Sequence, residues 1–228
     1  MTKPNFVEIA VVLDRSGSME SVRTDTIGGF NSFLSDQKAN VVGEVKLSLA
    51  QFADFYEVVH DGRPLNEIPP LSRETYVPRG MTALFDAIGK TINIMGDRLA
   101  KTPEEERPSL VIFVILTDGQ ENSSKEFKLD RVKNLIKHQT EKYNWQFVFL
   151  GADQNAFQAE TLGVRGANIF TYNSVDTMDT YTTLSTGINS VRGMMATCAA
   201  DGIVMASSLG DIMRDSGYGT EDKKEVPV

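Results

Sequence analysis

Short apolar runs of strand length alternate along this chain with longer segments in which apolar residues recur at helical spacing. The runs at 6–13 and 110–116 are nearly continuous, which is typical of strands that are buried on both faces of a sheet. Between them, residues 83–99 place apolar side chains three and four positions apart, which indicates an amphipathic helix. Because parallel strands need a long crossover connection, usually a helix, this alternation predicts an α/β domain.

The other elements follow from the same two periods. Only Ala53 and Asp54 separate the second predicted strand from the third, so these strands are expected to form an antiparallel hairpin. Residues 61–80 hold four of the eight prolines and are expected to be an irregular connection. We therefore expect a Rossmann-like, doubly wound and mostly parallel sheet with one antiparallel edge strand and helices on both faces. The remaining predictions are strands at 45–52, 55–60, 145–150 and 168–172, and helices at 20–38, 129–136, 156–162 and 174–200.

The length and composition of the chain favour one domain in a reducing compartment. With 228 residues, 41% of them hydrophobic, a single domain is expected over 1–208, followed by a polar and mobile tail over 209–228. The single cysteine, Cys198, and an N-terminus without the apolar core of a signal peptide favour a cytoplasmic location. The formal net charge of -8 opposes nucleic acid as a partner. A membrane partner is not expected, because no run approaches the ~18 apolar residues of a membrane span.

Oxygen-bearing side chains follow the two strands that are expected at the centre of the sheet. The first strand ends at Asp14, and Ser16 and Ser18 come next, while the fourth strand runs into Thr117 and Asp118. In a doubly wound sheet, ligands bind beyond the carboxyl ends of the strands, where the strand order reverses. If these strands are neighbours at that point, Asp14 and Asp118 face the same crevice.

A third segment, Gly80-Met81-Thr82, completes a pattern that resembles the metal-ion-dependent adhesion site of von Willebrand factor A domains. The resemblance extends over roughly residues 6–172 in the order of the elements, and is to intracellular members of bacterial or phage type. Many members carry Gly-Gly-Thr where this chain has Met81, which is expected to leave the Thr82 hydroxyl free to bind. The resemblance implies five metal-binding residues: Asp14, Ser16, Ser18, Thr82 and Asp118.

The ligands that the resemblance implies suit a small, hard cation. Mg²⁺ is expected, with Mn²⁺ or Ca²⁺ as alternatives, because such ions bind oxygen and Mg²⁺ takes six oxygens in octahedral geometry. Hydroxyl groups are weak ligands and leave the ion electrophilic, so one open position takes a Glu or Asp carboxylate of a protein partner. The implied function is a metal-ion-dependent protein-binding module, a subunit or adaptor of a larger assembly, and not an enzyme.

Two other functions are compatible with the same residues. Asp14, at a strand end, is placed to accept a phosphoryl group in a metal-dependent transfer enzyme, but Ser16 stands where such enzymes need a second aspartate. A structural subunit with a vestigial site is the other alternative, although all five ligand-type residues are present. The segment around Ser16 does not match the Gly-x-Ser-x-Gly motif of serine hydrolases.

Each candidate ligand also has an ordinary structural interpretation. Ser16, Ser18 or Thr82 alone is compatible with a helix cap, and Asp118 is compatible with an ordinary turn after a strand. Jointly, these interpretations require several unrelated caps on one rim, which favours metal binding.

Four other polar residues near the candidate ligands are not assigned as ligands. Asp86, one helical turn beyond the candidate threonine, is interpreted as a solvated residue beside Lys90 rather than as an acceptor behind the site. Glu121 and Asn122 either touch the edge of the site or hold a loop. Arg15 either selects acidic partners or pairs with a nearby acid.

The histidines and the last helix are not assigned to the site. His60 and His138 sit in no metal-ligand spacing and are expected at the surface. The apolar stripe from Tyr181 to Cys198 is interpreted as the face of a final helix that packs on the sheet, rather than as a surface for a partner.

Overall fold

A six-stranded sheet forms the centre of the protein, whose structure is a computed structural model that describes residues 1–40, 42–152, 156–172 and 177–201. The strands are β1 (Lys3–Asp14), β2 (Glu44–Phe52), β3 (Tyr56–Pro64), β4 (Pro108–Thr117), β5 (Gln146–Ala152) and β6 (Ile169–Tyr172). The helices are α1 (Arg23–Ala39), α2 (Leu84–Lys101), α3 (Leu129–Tyr143), α4 (Ala156–Thr161) and α5 (Thr177–Asp201). Short 3-10 turns lie at Gly17–Glu20, Leu65–Glu67, Glu104–Glu106 and Gly166–Asn168.

The sheet has the topology that the sequence predicts. Its strand order is β3-β2-β1-β4-β5-β6, and all neighbouring pairs are parallel except β2 and β3. The predicted mostly parallel sheet with one antiparallel edge strand is therefore confirmed. The chain builds outward from β1 through β2 and β3, and then returns to build β4, β5 and β6 on the other side. The strand order thus reverses between β1 and β4, whose carboxyl ends lie side by side.

Helices cover both faces of this sheet, and each face has its own hydrophobic core. Along β1, Val11 and Leu13 pack with α1 and α5, whereas Ala10 and Val12 pack with α2 and α3. This is the two-residue alternation of a strand, and both sets of side chains are buried because both faces are covered. The residues of β4 alternate in the same way, which explains why both strands are continuous apolar runs in the sequence.

The last helix, α5, packs on the sheet, as interpreted from the sequence. Its most buried apolar residues are Tyr181, Leu184, Ile188 and Val191. A Cβ at Gly29 of α1 would lie 2.1 Å from the Tyr181 ring, so glycine allows the close approach of the two helices. Although α5 has 25 residues, neither it nor any other described helix combines the length and apolarity needed to cross a membrane. The predicted helix start at 174–176 and the predicted tail at 209–228 lie outside the described residues.

Two element boundaries differ from the sequence prediction. β3 extends to Pro64 rather than ending at 60, so the irregular connection begins later than expected. As an edge strand with mostly exposed or half-buried side chains, its second half lacks the apolar alternation that marks a strand in the sequence. α1 begins at Arg23 rather than at 20, because the 3-10 turn Gly17–Glu20 takes the place of its first residues.

A buried arginine fastens α5 to the end of α1. Arg192 is 3% exposed. Its guanidinium donates five hydrogen bonds of 2.6–3.2 Å, to oxygens of Gln37, Asn40 and Val42. These acceptors include carbonyl groups at the end of α1, which have no partner within the helix itself. Arg192 therefore satisfies the end of one helix and holds the other in place.

Replacing Arg192 with leucine is expected to destabilise the fold. The change leaves buried carbonyl oxygens without donors, and each unsatisfied buried acceptor costs about 1–3 kcal/mol. Urea unfolding of Arg192→Leu should give a free energy of unfolding that is lower by roughly 3 kcal/mol. Met194→Ala, at an exposed position of the same helix, is the control and should match the wild type. Equal stability of Arg192→Leu and the wild type would contradict this anchoring role.

Candidate metal centre

The candidate site lies at the carboxyl edge of β1 and β4, where the strand order reverses. Asp14, the last residue of β1, is fully buried, and both of its carboxylate oxygens accept a hydrogen bond. Oδ1 accepts the backbone N–H of Ser16 at 2.6 Å, and Oδ2 accepts the hydroxyl of Thr117 at 2.6 Å. The turn after β1 and the end of β4 thus hold this carboxylate in one orientation.

The two serines that follow Asp14 bring their hydroxyl groups together beside the end of β4. The hydroxyl oxygens of Ser16 and Ser18 are 3.1 Å apart, and the Ser18 hydroxyl donates to Oδ1 of Asp118 at 2.7 Å. Ser16 occupies the N-cap position of the following 3-10 turn, but its side chain makes no capping hydrogen bond. The capping interpretation of Ser16 is therefore wrong, and its hydroxyl faces Ser18 instead.

The Thr82 hydroxyl reaches the same place from the turn before α2. Thr82 precedes Ala83, the N-cap residue of α2, and the N–H groups of Phe85 and Asp86 in the first turn donate to Glu121 and Ser124 instead, so the capping interpretation of Thr82 is also wrong. A Cβ at Gly119 would lie 2.7 Å from the Oγ1 atom of Thr82. It would also lie 3.3 Å from Asp14 Oδ2 and from Ser18 Oγ. Oxygens from two separate segments therefore surround a point on the third segment, at Gly119, which only glycine leaves unfilled.

The side chains that meet here suit a hard divalent cation. They offer only carboxylate and hydroxyl oxygens, and oxygen ligands are those that Mg²⁺ and Ca²⁺ take in proteins. No cluster of three or more His, Cys, Asp or Glu side chains that could hold a metal lies in the described part of the chain, and this site itself combines two carboxylates with three hydroxyl groups. The structure brings all five predicted residues to this edge: Asp14, Ser16, Ser18, Thr82 and Asp118.

Ionisation of the two carboxylates is unfavourable in this environment. Burial raises the pKa of Asp14 from 3.8 to about 6, against the lowering effect of hydrogen bonds from Thr117 and Ser16, and the charge of Asp118 adds to the rise. Burial also raises the pKa of Asp118 above its ordinary value, although the hydrogen bond from Ser18 lowers it. A divalent cation at this position would offset both the desolvation and the repulsion of the ionised carboxylates.

Backbone hydrogen bonds fix the turn before α2 to the loop after β1. Gly80 has φ +79, a conformation that favours glycine, and its carbonyl accepts the N–H of Gly17 at 3.0 Å. The N–H of Arg79 donates to the carbonyl of Arg15 at 2.7 Å. Two of the three segments that form the site are therefore joined directly to each other.

Asp86 is not the solvated residue that the sequence interpretation favours. It is 7% exposed, and its carboxylate is surrounded by backbone donors. The N–H groups of Lys125, Glu126 and Phe127 donate to it at 2.7–2.9 Å. These three donors compensate the burial of the carboxylate, and Lys90 pairs with Glu126 instead, at 2.7 Å. Asp86 therefore fastens the loop between β4 and α3 to α2.

Glu121 and Asn122 hold the same loop against the first turn of α2. The Glu121 carboxylate accepts the N–H of Phe85 at 2.8 Å, and Asn122 Oδ1 accepts the N–H of Thr82 at 2.9 Å. The carbonyl of Thr82 in turn accepts the N–H of Asn122 at 3.0 Å. Of the two roles considered for these residues, the structure supports holding the loop. Because this loop begins at Asp118, the bonds fix Asp118 relative to Thr82.

Arg15 and the histidines have ordinary surroundings. Arg15 is 8% exposed, binds Glu57 at 2.6 Å and lies 4.2 Å from the centre of the Phe55 ring, so it pairs with a nearby acid rather than projecting to a partner. His138 is exposed on α3, and His60 is half-buried on the edge strand β3.

The sequence pattern did not assign a role to two residues that support Asp14. Thr117 binds its carboxylate, and the buried Tyr76 donates its hydroxyl to the Asp14 carbonyl at 2.6 Å. Burial raises the pKa of Tyr76, so this hydroxyl stays protonated. The position of Thr117 at a strand end, beside the first strand, was a usable signal. Tyr76 lies in the proline-rich connection, where no periodic pattern marks a buried residue.

Comparison with known proteins supports the fold. No protein-family model and no curated protein matches the sequence. Among solved structures, the von Willebrand factor domain of the type V pili tip protein Mfa5 from Porphyromonas gingivalis aligns with 83% of this chain and 96% of its own, at 12% identity and a TM-score of 0.60. The manganese-loaded TRAP protein of Plasmodium vivax aligns over 77% and 72%, at 16% identity and a TM-score of 0.55.

A von Willebrand factor type A protein from Catenulispora acidiphila aligns with 81% of this chain, at 13% identity and a TM-score of 0.52. This chain spans only 42% of that protein's length. At such identities the likeness shows the fold alone. The chain has the fold of von Willebrand factor A domains, as the sequence resemblance implies.

Replacing Asp14 with asparagine is expected to stabilise the metal-free protein at neutral pH. The pKa of Asp14 in the folded state is about 6, above the ordinary 3.8. The protonated carboxyl therefore stabilises the folded state below pH 3.8, and this stabilisation is lost as the pH rises through 6. Above this pH range, ionisation of Asp14 lowers the free energy of unfolding by at most about 3 kcal/mol. In chelator at about pH 7.5, Asp14→Asn should melt at a higher temperature than the wild type, and the difference should shrink at about pH 4.5. A lower melting temperature of Asp14→Asn at the higher pH would contradict this account.

Asp86→Ala is expected to weaken Mg²⁺ binding, although Asp86 is not a candidate ligand. The change releases the N–H groups at 125–127 and loosens the loop that begins at Asp118. In a calorimetric titration, the affinity for Mg²⁺ should fall about tenfold, which corresponds to roughly 1.4 kcal/mol. Asp97→Ala removes the same charge at an exposed position of α2 and should bind like the wild type. If Asp86→Ala binds Mg²⁺ as tightly as the wild type, the hydrogen bonds between Asp86 and the β4–α3 loop are not needed for metal binding.

Proposed function

We propose that this protein is a metal-ion-dependent protein-binding module that takes a Glu or Asp carboxylate of its partner. The observation that carries the proposal is the convergence of oxygens from Asp14, Ser18 and Thr82 around Gly119. Helix capping does not explain this convergence, since neither Ser16 nor Thr82 makes a capping bond. A divalent cation does explain it, because such an ion needs several oxygens at a single point.

The candidate residues would hold the ion in two ways. Ser16, Ser18 and Thr82 would supply hydroxyl oxygens, while Asp14 and Asp118 would act directly or through bound water. Mg²⁺ is the first candidate, with Mn²⁺ or Ca²⁺ as alternatives, and the manganese-loaded Plasmodium TRAP protein supports a divalent cation in a protein of this fold. When bound, the ion would supply a Lewis acid for an outside carboxylate.

The charges and exposure of the site favour an outside acidic group. Two aspartates balance the charge of a divalent ion, and the neutral hydroxyls leave it attractive to a further carboxylate. Ser18 is exposed and Asp118 is half-buried, so this edge is open to a partner. The occurrence of the same fold in a pilus tip protein is compatible with an interaction module that works within a larger assembly.

A phosphoryl-transfer enzyme fits the same residues less well. A nucleophilic Asp14 needs an oxygen that a phosphoryl group can reach, and the full burial of Asp14 restricts a group of that size more than it restricts a single cation. Ser16 also stands where the second aspartate of such an enzyme would be. A vestigial site is disfavoured, because no candidate ligand is missing. We therefore propose a role without catalysis, as a subunit or adaptor, with neither nucleic acid nor membrane as partner; a cytoplasmic location remains a prediction from composition.

Mg²⁺ is expected to raise the melting temperature of the wild-type protein. A ligand at a concentration about a hundred times its dissociation constant adds roughly 2.7 kcal/mol to the free energy of unfolding. Thr82→Val exchanges a hydroxyl for a methyl group of similar size and should remove most of the rise. Scanning fluorimetry in Mg²⁺ and in chelator measures both effects.

Thr140→Val provides the matched control for this prediction. It makes the same exchange at a half-buried position of α3, away from the carboxyl edge of the sheet, and should keep the full effect of Mg²⁺. The proposed metal site would be contradicted if millimolar Mg²⁺ did not raise the melting temperature of the wild type, or if it raised that of Thr82→Val equally.

The binding role is tested by recovering bound proteins with wild-type and Thr82→Val baits. Partners that need the site should be retained by the wild type in Mg²⁺, and lost both in chelator and from Thr82→Val. Retention by all baits under all conditions would place the interaction elsewhere on the protein.

A further inference from the structure

The rim of the candidate site carries an arginine without an acidic partner. Arg79 and Met81 flank Gly80 on the turn before α2, and both side chains are exposed. Arg15, also at the rim, is neutralised by Glu57 at 2.6 Å. Within the ranges that the structure describes, Arg79 forms no ion pair with any acidic side chain. Its guanidinium donors are therefore available to a partner.

Arg79 is held beside the site. Its backbone N–H donates to the carbonyl of Arg15, which lies between Asp14 and Ser16 in the chain. Its guanidinium carbon lies 5.2 Å from the centre of the Phe55 ring, which also receives the guanidinium of Arg15 at 4.2 Å. This cation–π contact restricts the side chain, so less conformational entropy is lost when it binds a partner.

Two acidic side chains on the same rim form no ion pair with Arg79. Glu57 is engaged by Arg15, and Asp54 rests against Gly80, with Oδ1 2.1 Å from the position of the missing Cβ. Arg79 is therefore a local positive group on a protein whose formal net charge is -8. A positive group in such a setting attracts acidic segments to this part of the surface.

We propose that Arg79 binds a second carboxylate of the partner, next to the carboxylate that the metal ion takes. This inference rests on the proposed function. A metal ion alone accepts any exposed Glu or Asp, so affinity for the ion gives little selectivity. A fixed arginine nearby adds a second requirement, because its planar pair of N–H donors matches a carboxylate in bidentate geometry.

The partner segment therefore carries two acidic residues and an apolar side chain. The apolar residue packs on Met81, which is 55% exposed and stands one residue beyond Gly80. Methionine is flexible and polarisable, and adapts to apolar side chains of different shapes. Selectivity comes from the spacing of the two carboxylates, and the contact with Met81 adds apolar burial.

The test is a selection of peptides from a random library displayed on phage, bound in Mg²⁺ and eluted with chelator. The wild type should enrich peptides with two acidic residues at a fixed spacing. Arg79→Ala should enrich peptides with a single acidic residue, and Arg79→Glu should enrich peptides with Lys or Arg at the second position. Arg131→Ala is the matched control, because Arg131 is an exposed arginine on α3 that lies 4.5 Å from the Phe127 ring, and it should select like the wild type.

The best wild-type peptide is then synthesised and titrated. Arg79→Ala should bind it about tenfold more weakly, and so should the wild type when the second acidic residue of the peptide is changed to its amide. The two changes together should weaken binding no more than either alone, as a double-mutant cycle requires of groups in direct contact.

Three results would overturn the role of Arg79. One is the selection of the same peptides by the wild type and Arg79→Ala; another is additive weakening in the cycle. The third is loss of the Mg²⁺-induced rise in melting temperature in Arg79→Ala, because the residue would then act through the metal site. In the first two cases, elution by chelator still supports the proposed function. If the wild type yields no peptides that chelator elutes, the proposed function falls and this inference falls with it.

Discussion

The burial of one carboxylate beside another is the interaction on which the site depends. Asp14 is fully buried at the end of β1, and the charge of Asp118 adds to the rise in its pKa. Hydrogen bonds orient both oxygens of Asp14 but leave its ionisation unfavourable. Among the described residues, no basic side chain forms an ion pair with either acid, and the nearby Arg15 pairs with Glu57. A divalent cation at this edge would offset the desolvation and the mutual repulsion of the two carboxylates.

The topology of the sheet places the two carboxylates side by side, and the loops bring the hydroxyl groups of the candidate site to them. Because the strand order reverses between β1 and β4, Asp14 and Asp118 follow neighbouring strand ends. The loops that carry the hydroxyl groups are fastened by hydrogen bonds to main-chain groups, from Gly17 to Gly80 and from the β4–α3 loop to Asp86. A backbone held in this way suits Mg²⁺, which tolerates little departure from octahedral geometry.

The sheet and the candidate ligands could be predicted because both leave a signal in the sequence. Strands buried on two faces are continuous apolar runs, and the candidate ligands stand in the three segments that carry the family resemblance, two of them at strand ends and one before α2. The supporting residues leave no such signal. Asp86 has the spacing of a surface pair with Lys90, and only the fold brings three backbone N–H groups to its carboxylate. Tyr76 lies in an aperiodic connection, and the end of β3 was missed because an exposed edge strand lacks apolar alternation.

The most direct test of the metal centre is an anomalous difference map from crystals grown in Mn²⁺, which scatters anomalously and can take the place of Mg²⁺. The account predicts a peak bonded to the hydroxyl oxygens of Ser16, Ser18 and Thr82, with Asp14 and Asp118 bound to it directly or through water. A map without a peak at this edge would contradict the account.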